Sequence, residues 1–160
     1  KYYRVIRYFI KKKYNLSQAD LEMLYFLHDE EYFSKIIFKK YNDIMTWDKN
    51  RFQRLIKEGW IVKFRNHNNT RKALYQLSYK SVNVIRSVYA KLSGEVMPTS
   101  NKGNPLFRGN LSTKDTAYKN MIVEMNNFIK RLETSGYSAM RHKLFFLTEL
   151  ARPFFFIAML

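Results

Sequence analysis

Residues Met45 to Ser78 read MTWDKNRFQRLIKEGWIVKFRNHNNTRKALYQLS, and the fold is decided by how this stretch is read. In its first part Phe52, Leu55, Ile56 and Gly59 recur at i, i+3, i+4 and i+7, the spacing that gathers them on one face of a helix. Trp47, Asn50, Arg54 and Lys57 then fall on the opposite face, with Arg51 and Gln53 at its flanks. A helix with an apolar back and a basic, hydrogen-bonding front can rest on a small core and project into a groove. Gly59 is placed to end it, because glycine takes a positive φ without steric penalty. Ile61 to Arg65 alternates like a strand, 66–70 is rich in turn formers, and Arg71 to Ser78 reads as a second strand.

A helix followed by a two-stranded wing is the order of a winged helix-turn-helix, and its details resemble the MarR family of transcriptional regulators. The recognition helix of that family ends in Leu-x-x-x-Gly followed by an aliphatic or aromatic residue and Ile or Val; here Leu55, Gly59, Trp60 and Ile61 match. The family's wing carries Asp-x-Arg, matched by Asn69-Thr70-Arg71 with Asn for Asp, and Leu77-Ser78 stands where Leu-Thr closes the second strand. The resemblance covers about residues 17–92. It implies duplex DNA as the partner, a dimer as the working form, and a fold that is mostly α with a small β-wing.

Composition agrees with a basic, folded domain. The chain has 160 residues, one domain or one domain with a helical extension, and 46% of them are hydrophobic, enough for a core. The 13 Phe and 12 Tyr argue against disorder over most of the length. A net charge of +16 favours a polyanionic partner, either nucleic acid or an anionic membrane surface. With no Cys there is neither a disulfide framework nor thiolate chemistry. The abundance of Lys, Asn, Tyr, Phe and Ile suits an AT-rich bacterial or phage genome. The sequence begins at Lys1 rather than Met, which leaves room for an upstream segment. Charges punctuate its opening KYYRVIRYFIKKKYN, so it is not read as a signal peptide.

Upstream of the central stretch, residues 2–14 can form an amphipathic helix with Tyr2, Val5, Ile6 and Phe9 on one face and Arg4, Arg7, Lys11 and Lys12 around the other. Ser17 and Asp20 have the spacing of a capping box, with Leu16 and Leu21 as its hydrophobic staple, so a helix should start there and run to about Asp29 with Leu21, Leu24, Tyr25 and Phe26 inward. A further helix is expected from about Tyr32 to Tyr41, with Ile36, Ile37 and Tyr41 inward and Lys35, Lys39 and Lys40 outward, where they could meet phosphates. Within the central stretch Arg51 and Arg54 suit guanine edges, and Asn50 and Gln53 suit adenine. Lys49, Lys57, Lys63, Arg65, Arg71 and Lys72 better suit phosphates or the minor groove. Trp47 completes the DNA-facing set, and Asp48 favours the positive end of the helix dipole.

Downstream, residues 81–92 read as a helix with Val82, Ile85, Val88, Tyr89 and Leu92 inward. Gly94, Pro98, Gly103, Pro105 and Gly109 cluster in the next segment and mark a long loop, in which Leu106, Phe107 and Arg108 could anchor a partner. From Thr113 to Ser135 runs the longest helix, capped by Ser112 and Asp115 and stopped by Gly136. Tyr118, Met121, Ile122, Met125, Phe128, Ile129 and Leu132 form a seam of coiled-coil-like spacing, expected to pair with a second subunit, an assembly partner or the chain's own terminal helices. A last helix should run to about Ala151, and Phe154 to Ile157 need apolar cover. The terminal LFFLTELARPFFFIAML is too short and too interrupted for a membrane-spanning helix.

The expected organisation is therefore a DNA-binding domain over 1–93, a loop over 94–112 and a helical interaction region over 113–160. No catalytic, metal or cofactor chemistry is expected. His28, His67 and His142 are isolated, carboxylates are few, and no Gly-rich phosphate cradle is present. The functional expectation is a MarR-like, cytoplasmic DNA-binding regulator. The alternative is a structural or assembly protein built on the same scaffold, for instance in a phage particle.

Overall fold

A computed structural model of the chain describes residues 2–42, 49–68 and 72–134, with the backbone alone at 42 and 49. Trp47, Asp48, the turn at 43–46, Asn69, Thr70, Arg71, Gly136 and the expected terminal helix with Phe154 to Ile157 lie outside the described residues. The elements follow in the order α1 (Tyr2–Tyr14), α2 (Gln18–His28), α3 (Lys35–Asn42), α4 (Lys49–Lys57), β1 (Ile61–Arg65), β2 (Leu74–Leu77), α5 (Tyr79–Leu92), a 3-10 turn (Pro105–Phe107) and α6 (Thr113–Thr134). Among the described residues the protein is mostly helical with one two-stranded antiparallel sheet. No helix among the described residues is long and apolar enough to cross a membrane. Two compact units are distinguished, one of residues 2–9 with 88–134 and one of residues 10–87 as far as described.

In the unit of residues 10–87 local chemistry sets the element ends. Ser17 caps α2 in a complete capping box: its side chain accepts from the Asp20 N–H, and the Asp20 carboxylate accepts from the Ser17 N–H at 2.8 Å. Helix α4 ends in a Schellman motif, with Gly59 at φ +74°, Trp60 N–H donating to the Leu55 carbonyl and Gly59 N–H to that of Ile56. The same six-to-one closure ends α1, where Asn15 takes the positive φ and Leu16 N–H reaches the Lys11 carbonyl. Strands β1 and β2 pair Ile61 with Leu77 and Lys63 with Tyr75. Phe33 adds a bridge on the other edge of Tyr75, each residue donating its N–H to the other's carbonyl. The core under α4 is aromatic: Phe33, Phe38, Phe52 and Tyr75 are all buried, and the Phe38 and Phe52 rings are 4.7 Å apart.

Two faces differ from the sequence expectation. In α3, Phe38 is the buried residue while Ile36 is 53% exposed, because the ring of Phe38 packs on Phe52. Helix α5 buries Ser81, Val84, Ile85, Val88 and Lys91, and leaves Tyr89 exposed and Val82 and Leu92 only half-buried. The reason is polar: the Ser81 hydroxyl donates to the Trp60 carbonyl, which also accepts the Ser78 N–H, so the first turn of α5 is fixed by the start of β1. The buried face of α5 is thereby turned away from the one an apolar-only reading selects.

In the unit of residues 2–9 and 88–134, α6 is held by both ends of its inner face. Asp115 accepts from the Tyr8 hydroxyl at 2.7 Å and from the Ser112 hydroxyl at 2.7 Å, and Tyr118 stacks on Tyr8 with centroids 3.8 Å apart. Further along, the buried Asn126 side chain takes both backbone groups of Met97. The segment after α5 thus carries buried residues of its own, Met97, Asn104 and Leu106. The α6 seam divides. Ile122 and Met125 are buried within the chain and Tyr118 and Ile129 are half-buried, while Met121, Phe128 and Leu132 remain exposed.

Candidate nucleic-acid interface

Helix α4 lays Phe52 and Leu55 into the core and turns Asn50, Gln53, Arg54 and Lys57 outward. Lys49 opens the helix, and its side chain is outside the described residues. Between Lys49 and Leu77 the sequence holds a single acid, Glu58, so the outer surface of α4 and the wing is strongly positive. On the wing Lys63 and Lys72 are exposed, and Arg65 is half-buried with its Nη2 donating to the Lys72 carbonyl at 3.2 Å.

The two arginines of α4 are differently placed from Asn50 and Gln53. Arg51 Nη1 donates to Asp20 Oδ1 at 2.8 Å and to the Ser17 hydroxyl oxygen at 3.0 Å. Arg54 Nη2 also donates to Asp20 Oδ1, and its Nη1 lies 3.5 Å from Glu58 Oε1. Glu58 is itself steadied by the Trp60 indole N–H at 3.1 Å. The capping carboxylate of α2 is therefore also the anchor of α4, and it is wholly buried. Sequence spacing revealed the cap but not this second role. The signal available was weak: Asp20 is the first acid in the chain, and Arg51 and Arg54 share one flank of α4.

Burial alone would raise the Asp20 carboxyl. Hydrogen bonds from the Ser17 side chain, Arg54, the Ser17 backbone and Arg51 outweigh burial and hold it lowered from 3.8 to about 2. A carboxyl depressed on folding contributes stability that is complete above its unfolded value and lost as pH falls through its folded one. Between about pH 4 and pH 2 the protein is expected to lose about 2 kcal/mol through Asp20. Denaturant titrations across that window check it: the loss should be present in the wild type and missing in Asp20→Asn.

Beside the wing, Ser34, Lys35 and Ile36 at the start of α3 face Lys63, His67, Lys72 and Tyr75 across an open cleft of about 410 Å³. Lys35, Lys39 and Lys40 of α3 are exposed, in keeping with the sequence expectation. The exposed rings of Tyr32 and Phe64 lie 4.5 Å apart. Neither the cleft nor this ring pair was read from the sequence, since both need residues 32–36 and β1 to be brought together. Among the described residues no cluster of His, Cys, Asp or Glu could hold a metal ion.

The sequence matches no family model and no curated protein. Among solved structures, it is similar to a mutant of MarR from E. coli crystallised in complex with operator DNA. The identity is 14%, over 76% of this chain and 81% of that one, with a TM-score of 0.42.

Proposed function

We propose that the protein binds duplex DNA, with α4 in the major groove and the wing along the backbone, and acts as a MarR-like transcriptional regulator. The observation that carries this reading is the outer face of α4: a helix anchored by Phe52 and Leu55 that presents Asn50, Gln53 and Lys57 to solvent, in a chain of charge +16. Amides and lysines on an exposed helix suit base edges and phosphates. Lys63, Lys72 and the lysines of α3 supply further positive charge beside it, for the phosphate backbone. In this reading Arg71 and Trp47 also contact the DNA, and the protein works in the cytoplasm of a bacterium or an infected host.

Dimerisation belongs to the proposal. Met121, Phe128 and Leu132 of the α6 seam are its exposed apolar residues and would meet a second subunit. The same exposed residues favour one other reading, a structural or assembly protein of a nucleoprotein particle that uses α6 to contact a different chain.

A salt titration of binding to random duplex tests the reading. Affinity should fall steeply with salt, because each neutralised phosphate adds about 0.9 to the log–log slope. Lys57→Ala should weaken binding to every sequence and reduce the slope by about 1. Selection of a palindrome supports a regulator, steep but sequence-blind binding supports assembly, and no binding at low salt overturns both.

A further inference from the structure

We propose that Asp20 withholds Arg51 and Arg54 from base edges, so that Asn50 and Gln53 read the major groove and the preferred site is centred on A·T pairs. The inference rests on the DNA-binding reading above and specifies which bases that face selects.

A guanine is read by two parallel N–H donors of one guanidinium, directed at its O6 and N7. In each arginine a terminal nitrogen of such a pair is already engaged by Asp20, and the Arg51 Nε is buried. Arg54 commits one terminal nitrogen to Asp20 and the other to Glu58. Arg51 shares one terminal nitrogen between Asp20 and Ser17, and its side chain is only 20% exposed. Swinging either guanidinium toward a base would strip a counter-charge from a carboxylate that has no access to water. Glu58 cannot follow Arg54 outward without giving up the Trp60 indole.

What remains on the outer face is chemically selective. Asn50 is the second residue of α4 and Gln53 lies one turn on, both exposed. Side-chain amides present one donor and one acceptor, which matches N6 and N7 of adenine. In helix-turn-helix docking the N-terminal residues of the recognition helix reach the base edges, which leaves Lys57, in the last turn, to the backbone.

The test is selection from a randomised duplex pool, followed by affinities for matched duplexes that differ by A·T to G·C exchange at the selected positions. The wild type should favour the A·T duplex by about tenfold or more. Asn50→Ala and Gln53→Ala should each erode that ratio, and Arg54→Lys should leave it unchanged. Asp20→Asn, by releasing the guanidiniums, should shift selection toward guanine. If Asp20→Asn does not fold, the ratios of the other three variants decide. A wild-type preference for guanine, lost in Arg54→Lys, would overturn the inference while leaving DNA binding intact, as would sequence-blind binding. No binding to any duplex at low salt would remove the underlying reading, and this one with it.

Discussion

Phe52→Ala is expected to lower stability by about 3–5 kcal/mol, the range for emptying a packed aromatic site. Phe52 is 2% exposed and joins α4 to α3, to β2 and to the Phe33 bridge. Its ring lies 4.7 Å from Phe38, 5.2 Å from Tyr75 in an edge-on arrangement and 6.4 Å from Phe33. Alanine in its place removes contacts to α3, to β2 and to the Phe33 bridge at once, and a cluster of rings cannot collapse into the space without leaving its preferred geometry. Denaturant unfolding followed by circular dichroism measures the loss, which should appear as a lower midpoint with an unchanged slope. Phe64→Ala is the control. Phe64 is 54% exposed, and its removal should cost less than about 1 kcal/mol. Equal losses for the two would mean that the aromatic cluster is not the support of α4.

The back of α4 was legible because Phe52, Leu55 and Ile56 repeat at helical spacing and Gly59 supplies a stop that the Schellman bonds then use. The capping box was legible for the same reason: Ser17 and Asp20 act on each other over three residues, within reach of any local reading. What escaped was chemistry that joins distant positions. Phe33 pairs with Tyr75 through a single bridge, which leaves no alternation to detect. Ile36 and Phe38 are both apolar, and only the ring of Phe52 decides which one is buried. The rotation of α5 depends on one serine hydroxyl and one carbonyl. The α6 seam was found as a seam, but its periodicity could not say that Ile122 and Met125 bury within their own chain while Met121, Phe128 and Leu132 do not. For the candidate site the consequence is larger. Residue types and helical position put Arg51 and Arg54 with Asn50 and Gln53, and only the buried carboxylate of Asp20 separates the two pairs.

Asn126→Ala should cost about 3 kcal/mol, although it removes only a short polar side chain. Asn126 is 4% exposed and Met97 is 1% exposed, so neither can exchange its hydrogen bonds for water. The Asn126 Oδ1 accepts the Met97 N–H at 2.9 Å, and its Nδ2 donates to the Met97 carbonyl at 2.8 Å. Alanine leaves both backbone groups buried without their partner, and each such orphan costs about 1–3 kcal/mol. Asn126→Asp separates this account from simple packing, because it keeps the shape and changes one donor into an acceptor. An ionised carboxylate at this position would face the Met97 carbonyl with negative charge, and burial would raise its pKa. A group raised on folding gives stability that is present below its unfolded value and lost as pH rises through its folded one. The Asn126→Asp protein should therefore gain stability relative to wild type as pH falls from about 7 toward about 4, since the protonated acid can donate where the amide did. If that difference stays constant across the range, the Met97 clamp is not what holds residues 94–112 to α6. If it narrows, an amide at 126 is required by two backbone groups rather than by the space it fills.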